Sequence, residues 1–288
     1  MKPPVFAYVR AENEQHAVEL LSQYGDEGKI ISGGQSLVPM LNFRLARPKV
    51  LVDISRIAEK NKIEVTGGRL SVSGVTLQRE MELSPLVQER IPVLYEAVRH
   101  IGHIQIRNKG TIGGSISHGD PAAELPAVSL VLDAEYELAS VAGRRTVPAE
   151  EFFITYMMTD IGVDEMLSKI SFKLPGDTHG WGFQEMTRRS GDFALAGSIA
   201  LIEADESGRC ARARISLFGV APTPIRVKEA ERLLEGEVYS ATLADEAAEL
   251  AKRSTDPEDD VHVTASYRRE MAGVLTRRAL EQAFQRMR

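Results

Sequence analysis

The 288-residue sequence contains a single cysteine, Cys210. That excludes an intrachain disulfide framework, and also an iron–sulfur cluster held by four cysteines of this chain, so any such cluster must come from another chain. There is no Gly-x-Gly-x-x-Gly fingerprint and no Gly-x-x-x-x-Gly-Lys loop, so both common nucleotide signatures are missing. Positive charge is not in excess: 35 Lys and Arg stand against 41 Asp and Glu, a net charge of −6, which argues against nucleic acid as the main partner. No apolar run approaches the ~20 residues of a membrane span. The start, Met1-Lys2-Pro3-Pro4-Val5, lacks the apolar stretch of a secretory signal. A soluble cytoplasmic protein is expected. The six histidines give no metal site, since His100 and His103 share a helical face without a third ligand in sequence reach. No Gly-x-Ser-x-Gly nucleophile motif is found, and no catalytic side chain is assigned.

What the chain does have is ordinary globular composition, 43% hydrophobic and 26% charged, at a length that calls for two or three domains. It also has two double-glycine segments, Ile31-Ser32-Gly33-Gly34-Gln35-Ser36-Leu37 and Asn108-Lys109-Gly110-Thr111-Ile112-Gly113-Gly114-Ser115, each opening toward a helix-like stretch. Glycine lets the main chain turn tightly and approach a ligand, so that N–H groups can face an anion. Two such loops suit a ligand with a diphosphate at its middle. Each is also compatible with a plain strand-to-helix turn.

Val5 to Val9 reads as a strand. Asn13 then precedes a helix with Ala17, Leu20, Leu21 and Tyr24 on one face, and Gly25 ends it. Strands follow at Lys29 to Ser32 and Val50 to Asp53, a βαβ-like first lobe over residues 1–55. A hairpin around Gly67-Gly68, a helix through Val93 to Ile101, a helix over Glu124 to Leu132 and strands at Tyr136 to Ala139 and Met166 to Phe172 make residues 56–176 a mixed α+β lobe. Asp120 reads as an N-cap with Pro121 at the first helical position. The turn-rich stretch from Pro175 to Gly180 marks a boundary. Beyond it, residues 177–288 read as three strands (181–187, 194–203, 211–220) and helices near 226–235, 240–252 and 264–286. The last carries Tyr267, Met271, Val274 and Leu275 on one stripe, either bundle core or a docking face.

Five segments carry a resemblance: Gly33-Gly34-Gln35-Ser36-Leu37-Val38-Pro39, Thr111-Ile112-Gly113-Gly114-Ser115, Gly119-Asp120-Pro121-Ala122-Ala123-Glu124-Leu125-Pro126, Arg188-Arg189-x-x-Asp192-Phe193-Ala194, and Tyr267-Arg268-x-x-Met271-Ala272-x-x-Leu275-x-Arg277-Arg278-Ala279. Singly they are weak signals. In this order, over nearly the whole chain, they resemble the medium, FAD-binding subunit of the molybdenum hydroxylases, the group that includes carbon monoxide dehydrogenase and xanthine dehydrogenase. The resemblance implies an α+β fold: a two-lobed FAD-binding domain of the vanillyl-alcohol-oxidase (PCMH) type, then a C-terminal domain of antiparallel sheet and helical bundle. It implies FAD as cofactor, a large molybdopterin-binding partner, a small partner with [2Fe-2S] clusters, and a dimer of heterotrimers. Electrons would pass from the partner's clusters through FAD to an external acceptor. Two other readings are a self-sufficient FAD-dependent oxidase or reductase and a non-catalytic assembly module.

Carried over position by position, the resemblance places the main-chain amides of Gly33, Gly34, Gln35 and Ser36, with two polar side chains, on the FAD diphosphate, counts Ile31, Ser32 and Leu37 as cofactor-binding beside them, and makes Gly110, Thr111, Gly113, Gly114 and Ser115 the second flavin loop. Ser115 stands where relatives usually have asparagine. His118, inside the loop, would face the cofactor. Asp120 is either helix cap or ligand, and Glu124 either a first-turn glutamate or an acceptor for sugar hydroxyls. Ile101, Gly102, Met166 and Leu167 would line the cofactor or fill the core. Phe193 would cover the flavin ring or be buried. Glu185 stands where relatives commonly have lysine, so an ionic contact to FAD there would be absent or supplied by Arg188 or Arg189.

Overall fold

The computed structural model describes residues 2–57 and 63–287; residues 1, 58–62 and 288, which the sequence-drawn spans include, lie outside the described residues. The chain opens with β1 (Ala7–Arg10), α1 (Glu14–Tyr24), β2 (Gly28–Ile31), α2 (Leu37–Asn42) and β3 (Val50–Asp53). The three strands form a parallel sheet in the order β1-β3-β2. Asn13 caps α1, its side chain accepting from the His16 N–H at 2.8 Å, and Gly25 ends the helix at φ 50°. Ala17, Val18, Leu20 and Leu21 of α1 pack with Val50 and Val52 as the core of this lobe.

Next come β4 (Glu64–Thr66) and β5 (Arg69–Ser73), joined through Gly67 and Gly68, whose φ angles of 58° and 74° are those of the tight hairpin turn that glycine favours. Six helices follow: α3 (Gln78–Leu83), α4 (Pro85–Arg90), α5 (Pro92–His100), α6 (Ile104–Arg107), α7 (Ile112–His118) and α8 (Glu124–Val131). Then β6 (Glu135–Ser140), β7 (Gly143–Pro148), α9 (Ala149–Phe152), the hairpin β8 (Phe153–Thr155) with β9 (Met158–Thr159), and β10 (Met166–Lys173). The antiparallel sheet runs β4-β5-β10-β6-β7. Every residue of α8 is buried, which makes it the lobe's central helix. Asp120 is not its cap. The helix begins at Glu124 after Ala123, and Asp120 instead accepts the Ala122 N–H at 2.8 Å in a side-chain turn that also holds Pro121.

The last third comprises β11 (His179–Met186), β12 (Ala196–Ala204), β13 (Cys210–Phe218), β14 (Ile225–Arg226), α10 (Lys228–Leu234), α11 (Ala241–Arg253) and α12 (Ala265–Gln285). The sheet has a short fourth strand, β14, beyond the three expected. Along β11, successive residues face opposite ways. Gly180 and Gly182 face α12, where an added Cβ would lie 1.9 and 2.0 Å from the carbonyl oxygens of Ala283 and Ala279. The helix therefore rests directly on the strand. Its buried face is Ala272, Leu275, Ala279, Leu280 and Ala283, whereas Tyr267 and Val274 of the expected stripe are each 40% exposed. Close helix-on-sheet approach selects alanine, which a search for large apolar residues overlooks.

The other face of this sheet, through Phe183, Ile199, Leu201 and Phe218, shares one core with Leu125, Val128 and Val131 of α8. Polar contacts run along the same seam. Gly219 donates its N–H to the Pro121 carbonyl at 2.7 Å, and the Ser216 hydroxyl donates to the Ala127 carbonyl at 2.9 Å. Past the C-terminal end of α8, the Asp133 carboxylate meets Arg212 at 3.0 Å, Arg214 at 3.1 Å, Arg226 at 3.3 Å and Lys173 at 3.9 Å. No described helix is long and apolar enough to cross a membrane.

Candidate functional site

The first glycine loop connects β2 to α2. Gly34 adopts φ 71°, a left-handed conformation that costs glycine little. The loop is closed by the Val38 N–H bonding to the Gly34 carbonyl at 3.0 Å, the Met40 N–H bonding to the Ser36 carbonyl at 3.2 Å, and the Gln35 side-chain amide donating to the Gly33 carbonyl at 2.9 Å. Among the described residues, the N–H groups of Gly33, Gly34, Gln35 and Ser36 donate to no protein acceptor. Four successive open N–H groups in a half-buried turn form a concavity suited to an anion.

The second loop is built differently. Thr111 caps α7 by accepting the Gly114 N–H at 3.0 Å. The N–H groups of Ile112 and Gly113 are bonded to the carbonyls of Thr76 and Gly74, both at 2.9 Å, and the Gly110 carbonyl accepts from Gln78 at 2.9 Å. Its main chain is thus committed to the segment between β5 and α3. What it offers is a surface without Cβ atoms and a rim of hydroxyls, including half-buried Ser115.

The two loops touch. A Cβ on Gly33 would lie 2.1 Å from the Lys109 carbonyl oxygen and 2.8 Å from the Gly110 Cα, so only glycine permits the approach. Beside this contact the Thr111 hydroxyl donates to the Ser32 hydroxyl at 3.2 Å. A further close stack lies behind: a Cβ on Gly113 would meet the Gly74 carbonyl oxygen at 2.4 Å, and one on Gly74 would meet that of Leu167 at 2.1 Å. Residues far apart in sequence therefore form one cradle.

The remaining sequence-predicted positions are placed as follows. Ile31 ends β2 and Leu37 opens α2. Ile101 and Gly102 are pinned through their carbonyls by the Arg107 guanidinium at 2.9 and 3.1 Å, while Arg107 also binds Glu82 at 2.9 Å. Sequence reasoning missed Arg107; an arginine closing a short apolar helix just before the glycine loop was the available signal. Met166 and Leu167 are buried, the first in the core of the first lobe and the second in the shared central core. Phe193 is 71% exposed, which rules out the buried reading. Its loop packs against the segment before α6, since a Cβ on Gly191 would lie 2.6 Å from the His103 ring. His118 ends α7 half-buried. Burial lowers its proton affinity, Asp120 opposes that and Lys29 on β2 adds to it.

Two carboxyls complete the region. Glu124, the first residue of α8, is 8% exposed, and burial pushes its carboxyl up to about 7, with Asp120 reinforcing the shift and Arg107 opposing it. Glu185 on β11 faces the same way as Trp181 and Phe183; burial, then the like charge of Glu124, pushes it up to about 8. Among the described residues, no group of three or more His, Cys, Asp or Glu side chains is placed to hold a metal ion.

Open amides facing a Cβ-free surface, with a sheltered carboxyl in the same lobe, suit an extended dinucleotide whose diphosphate lies between two lobes. The class so defined is a dinucleotide-binding fold without a Rossmann or P-loop motif. Residues 4–175 match the FAD binding domain in molybdopterin dehydrogenase, and residues 181–283 match the CO dehydrogenase flavoprotein C-terminal domain. The chain is 40% identical to the 6-hydroxypseudooxynicotine dehydrogenase complex subunit alpha of Paenarthrobacter nicotinovorans, over 100% of this chain and 97% of that protein. It is 36% identical to the carbon monoxide dehydrogenase medium chain of Hydrogenophaga pseudoflava, over 99% of each. Among solved structures, the carbon monoxide dehydrogenase of Hydrogenophaga pseudoflava lacking the Mo-pyranopterin moiety superimposes with a TM-score of 0.97 at 37% identity, covering 100% of both chains. Quinoline 2-oxidoreductase from Pseudomonas putida 86 does so at 0.94 and 35%, covering 99% of both. The chain belongs to the FAD-binding medium subunits of the molybdenum hydroxylases.

Proposed function

We propose that this subunit holds FAD in the cleft between the lobes of residues 1–55 and 56–176, with residues 177–288 as a third domain, and relays electrons from a partner's [2Fe-2S] clusters to an external acceptor. The observation that carries the reading is the contact of Gly33 with Lys109 and Gly110, which sets four open N–H groups beside a Cβ-free loop. When bound, FAD supplies the redox chemistry, because the flavin itself accepts and releases electrons.

The chain's own residues bind and orient. The amides of Gly33 to Ser36 neutralise the diphosphate as hydrogen-bond donors, and the Ser32 and Thr111 hydroxyls flank them. Glu124 takes a sugar hydroxyl, with Asp120 and His118 nearby. Exposed Phe193 covers the flavin, and Ile101 and Gly102 border it on a segment that Arg107 keeps fixed. Ser115 contributes a hydroxyl to the second loop. Met166 and Leu167 act from beneath, as the packing under Gly74 and Gly113.

The partners in this reading are a large molybdopterin-binding subunit and a small [2Fe-2S] subunit, arranged as a dimer of heterotrimers in the cytoplasm. The lone cysteine supports an external source of electrons, because Cys210 is buried and its thiol is pushed up to about 12, first by burial and then by Glu235. Co-expression with neighbouring genes tests the assembly. Co-purification of a cysteine-rich chain and a molybdenum-containing chain, with flavin reduced by substrate only in the full complex, supports it. Substrate turnover by the isolated subunit overturns it.

A further inference from the structure

Between β5 and α3 the chain makes an antiparallel bridge to the second glycine loop, with Leu77 opposite Thr111. The Gln78 N–H donates to the Gly110 carbonyl and the Ile112 N–H to the Thr76 carbonyl, both at 2.9 Å, so Gln78 stands opposite Gly110. Successive residues of such a pairing face opposite ways. Thr111 faces the first loop, its hydroxyl donating to that of Ser32 at 3.2 Å, and Gln78 therefore lies behind the second loop. Gly110 has no side chain there, and Gln78 fills the place. The three atoms nearest to a Cβ built on Gly110 are Gln78 Oε1 at 2.7 Å, Cδ at 3.0 Å and Nε2 at 3.1 Å. Near-equal distances to three atoms of one plane mean that the carboxamide presents its flat face. Gly110 in turn lies against the first loop, since a Cβ on Gly33 would be 2.8 Å from the Gly110 Cα. Gly110 is thus layered between the carboxamide and the first loop.

Hydrogen bonding does not account for a glutamine at this position. Gln78 is 4% exposed, and its Oε1 is sealed from solvent without a partner among the described residues, as is the Oγ1 of fully buried Thr76. Neighbouring polar groups of α3 are committed elsewhere. The Glu80 carboxylate accepts the Leu77 N–H at 2.9 Å, and Glu82 meets Arg107 at 2.9 Å and Arg79 at 2.8 Å. A buried carbonyl left unpaired costs stability that an apolar side chain of the same size would not. What glutamine offers instead is shape: a planar end, thinner than a branched apolar chain, fitted against the Cα of a glycine in a close-packed place.

We propose that Gln78 is a positioning residue for the cofactor: its carboxamide backs Gly110 and fixes how far the second loop stands from the open N–H groups of Gly33 to Ser36, and with that distance the affinity for FAD. It acts through Gly110 and does not touch the ligand. The proposal rests on the cofactor reading and adds to it a residue outside both glycine loops.

The test is a double-mutant cycle on the full chain, read by FAD titration beside the melting temperature of the unliganded chain. The Gly110 backbone is not in the left-handed region, so it accepts alanine. Gln78→Ala leaves Gly110 unbacked, and Gly110→Ala puts a methyl where the carboxamide lies; each is expected to weaken FAD binding about tenfold, a coupling usual for residues in contact. In the double variant the methyl takes the space that the carboxamide has left, and affinity is expected to return to within about threefold of wild type. Single losses that multiply to about a hundredfold in the double variant overturn the proposal. So does a lower melting temperature in the single variants with FAD affinity unchanged, which is what a role in stability alone would give. Should Gly110→Ala fail to fold, Gln78→Leu decides in its place, because it keeps the bulk and thickens the flat group: weakened FAD binding supports the proposal and wild-type affinity overturns it. A wild-type chain that takes up no FAD refutes the cofactor reading and this proposal with it, whereas normal uptake with an additive cycle refutes the role of Gln78 alone.

Discussion

The two ends of α8 handle partly or fully buried charge in opposite ways. Beyond its C-terminal end, Asp133 is surrounded by three guanidiniums and an ammonium within 4.0 Å. At its N-terminal end, Glu124 is 8% exposed and has no ion pair among the described residues, and burial pushes its carboxyl up to about 7. A charge taken out of water must be either matched or neutralised by a proton. The same helix, packed against the same sheet, uses one solution at each end. The seam is thereby clamped by charge at one corner and is sensitive to pH at the other.

The largest expected effect breaks the clamp. Asp133 sits at φ 40°, which asparagine tolerates, so Asp133→Asn removes the charge and little else. Arg214, 2% exposed, would lose one of its two carboxylates and keep only Glu203 at 2.9 Å. A loss of about 3 kcal/mol in urea unfolding is expected, and a loss near zero would mean that the clamp contributes nothing.

At the opposite end the effect depends on pH. Glu124 and Glu185 both have folded-state values raised above the ordinary carboxyl, so the native chain retains a proton that the unfolded chain has released. Stability is then full below the ordinary carboxyl value and declines as pH rises toward about 8. At ~1.4 kcal/mol per tenfold change, discounted for water at the cleft, the decline is about 2 kcal/mol. Denaturant titrations at several pH values measure it, and stability that rises over this window would contradict the assignment.

Two smaller effects compare the glycine loops. In Gly33→Val the side chain would collide with the Lys109 carbonyl, which lies 2.1 Å from the Cβ position alone. A cost of about 1–2 kcal/mol is expected, with bound flavin lost and far-ultraviolet circular dichroism unchanged. In Thr111→Ala the Gly114 N–H loses its cap and Ser32 its partner, for about 1 kcal/mol. Thr111→Ser is expected to restore both the stability and the flavin content. Equal flavin content in Gly33→Val and wild type would separate the first loop from the cofactor.

Local signals made the first lobe readable from sequence. Asn13 and Gly25 bracket α1 as capping chemistry predicts, and Val50 to Asp53 is a fully buried strand in a parallel sheet. β7, Gly-Arg-Arg-Thr-Val-Pro, was not legible because Val147 is its single buried residue and the alternation is absent. Asp120 misled because a side-chain turn and a helix cap use the same residue types. The glycines of the loops were legible as glycines but their division of labour was not: whether an N–H is open or bonded depends on Thr76 and Gly74, far from either loop in sequence.

The central claim, that the paired loops cradle FAD, is tested most directly by adding FAD to the purified full-length chain and measuring flavin absorbance after removing unbound cofactor. The account predicts a yellow protein carrying one FAD per chain, with flavin absent from Gly33→Val. Wild-type protein that stays colourless after this treatment would contradict it.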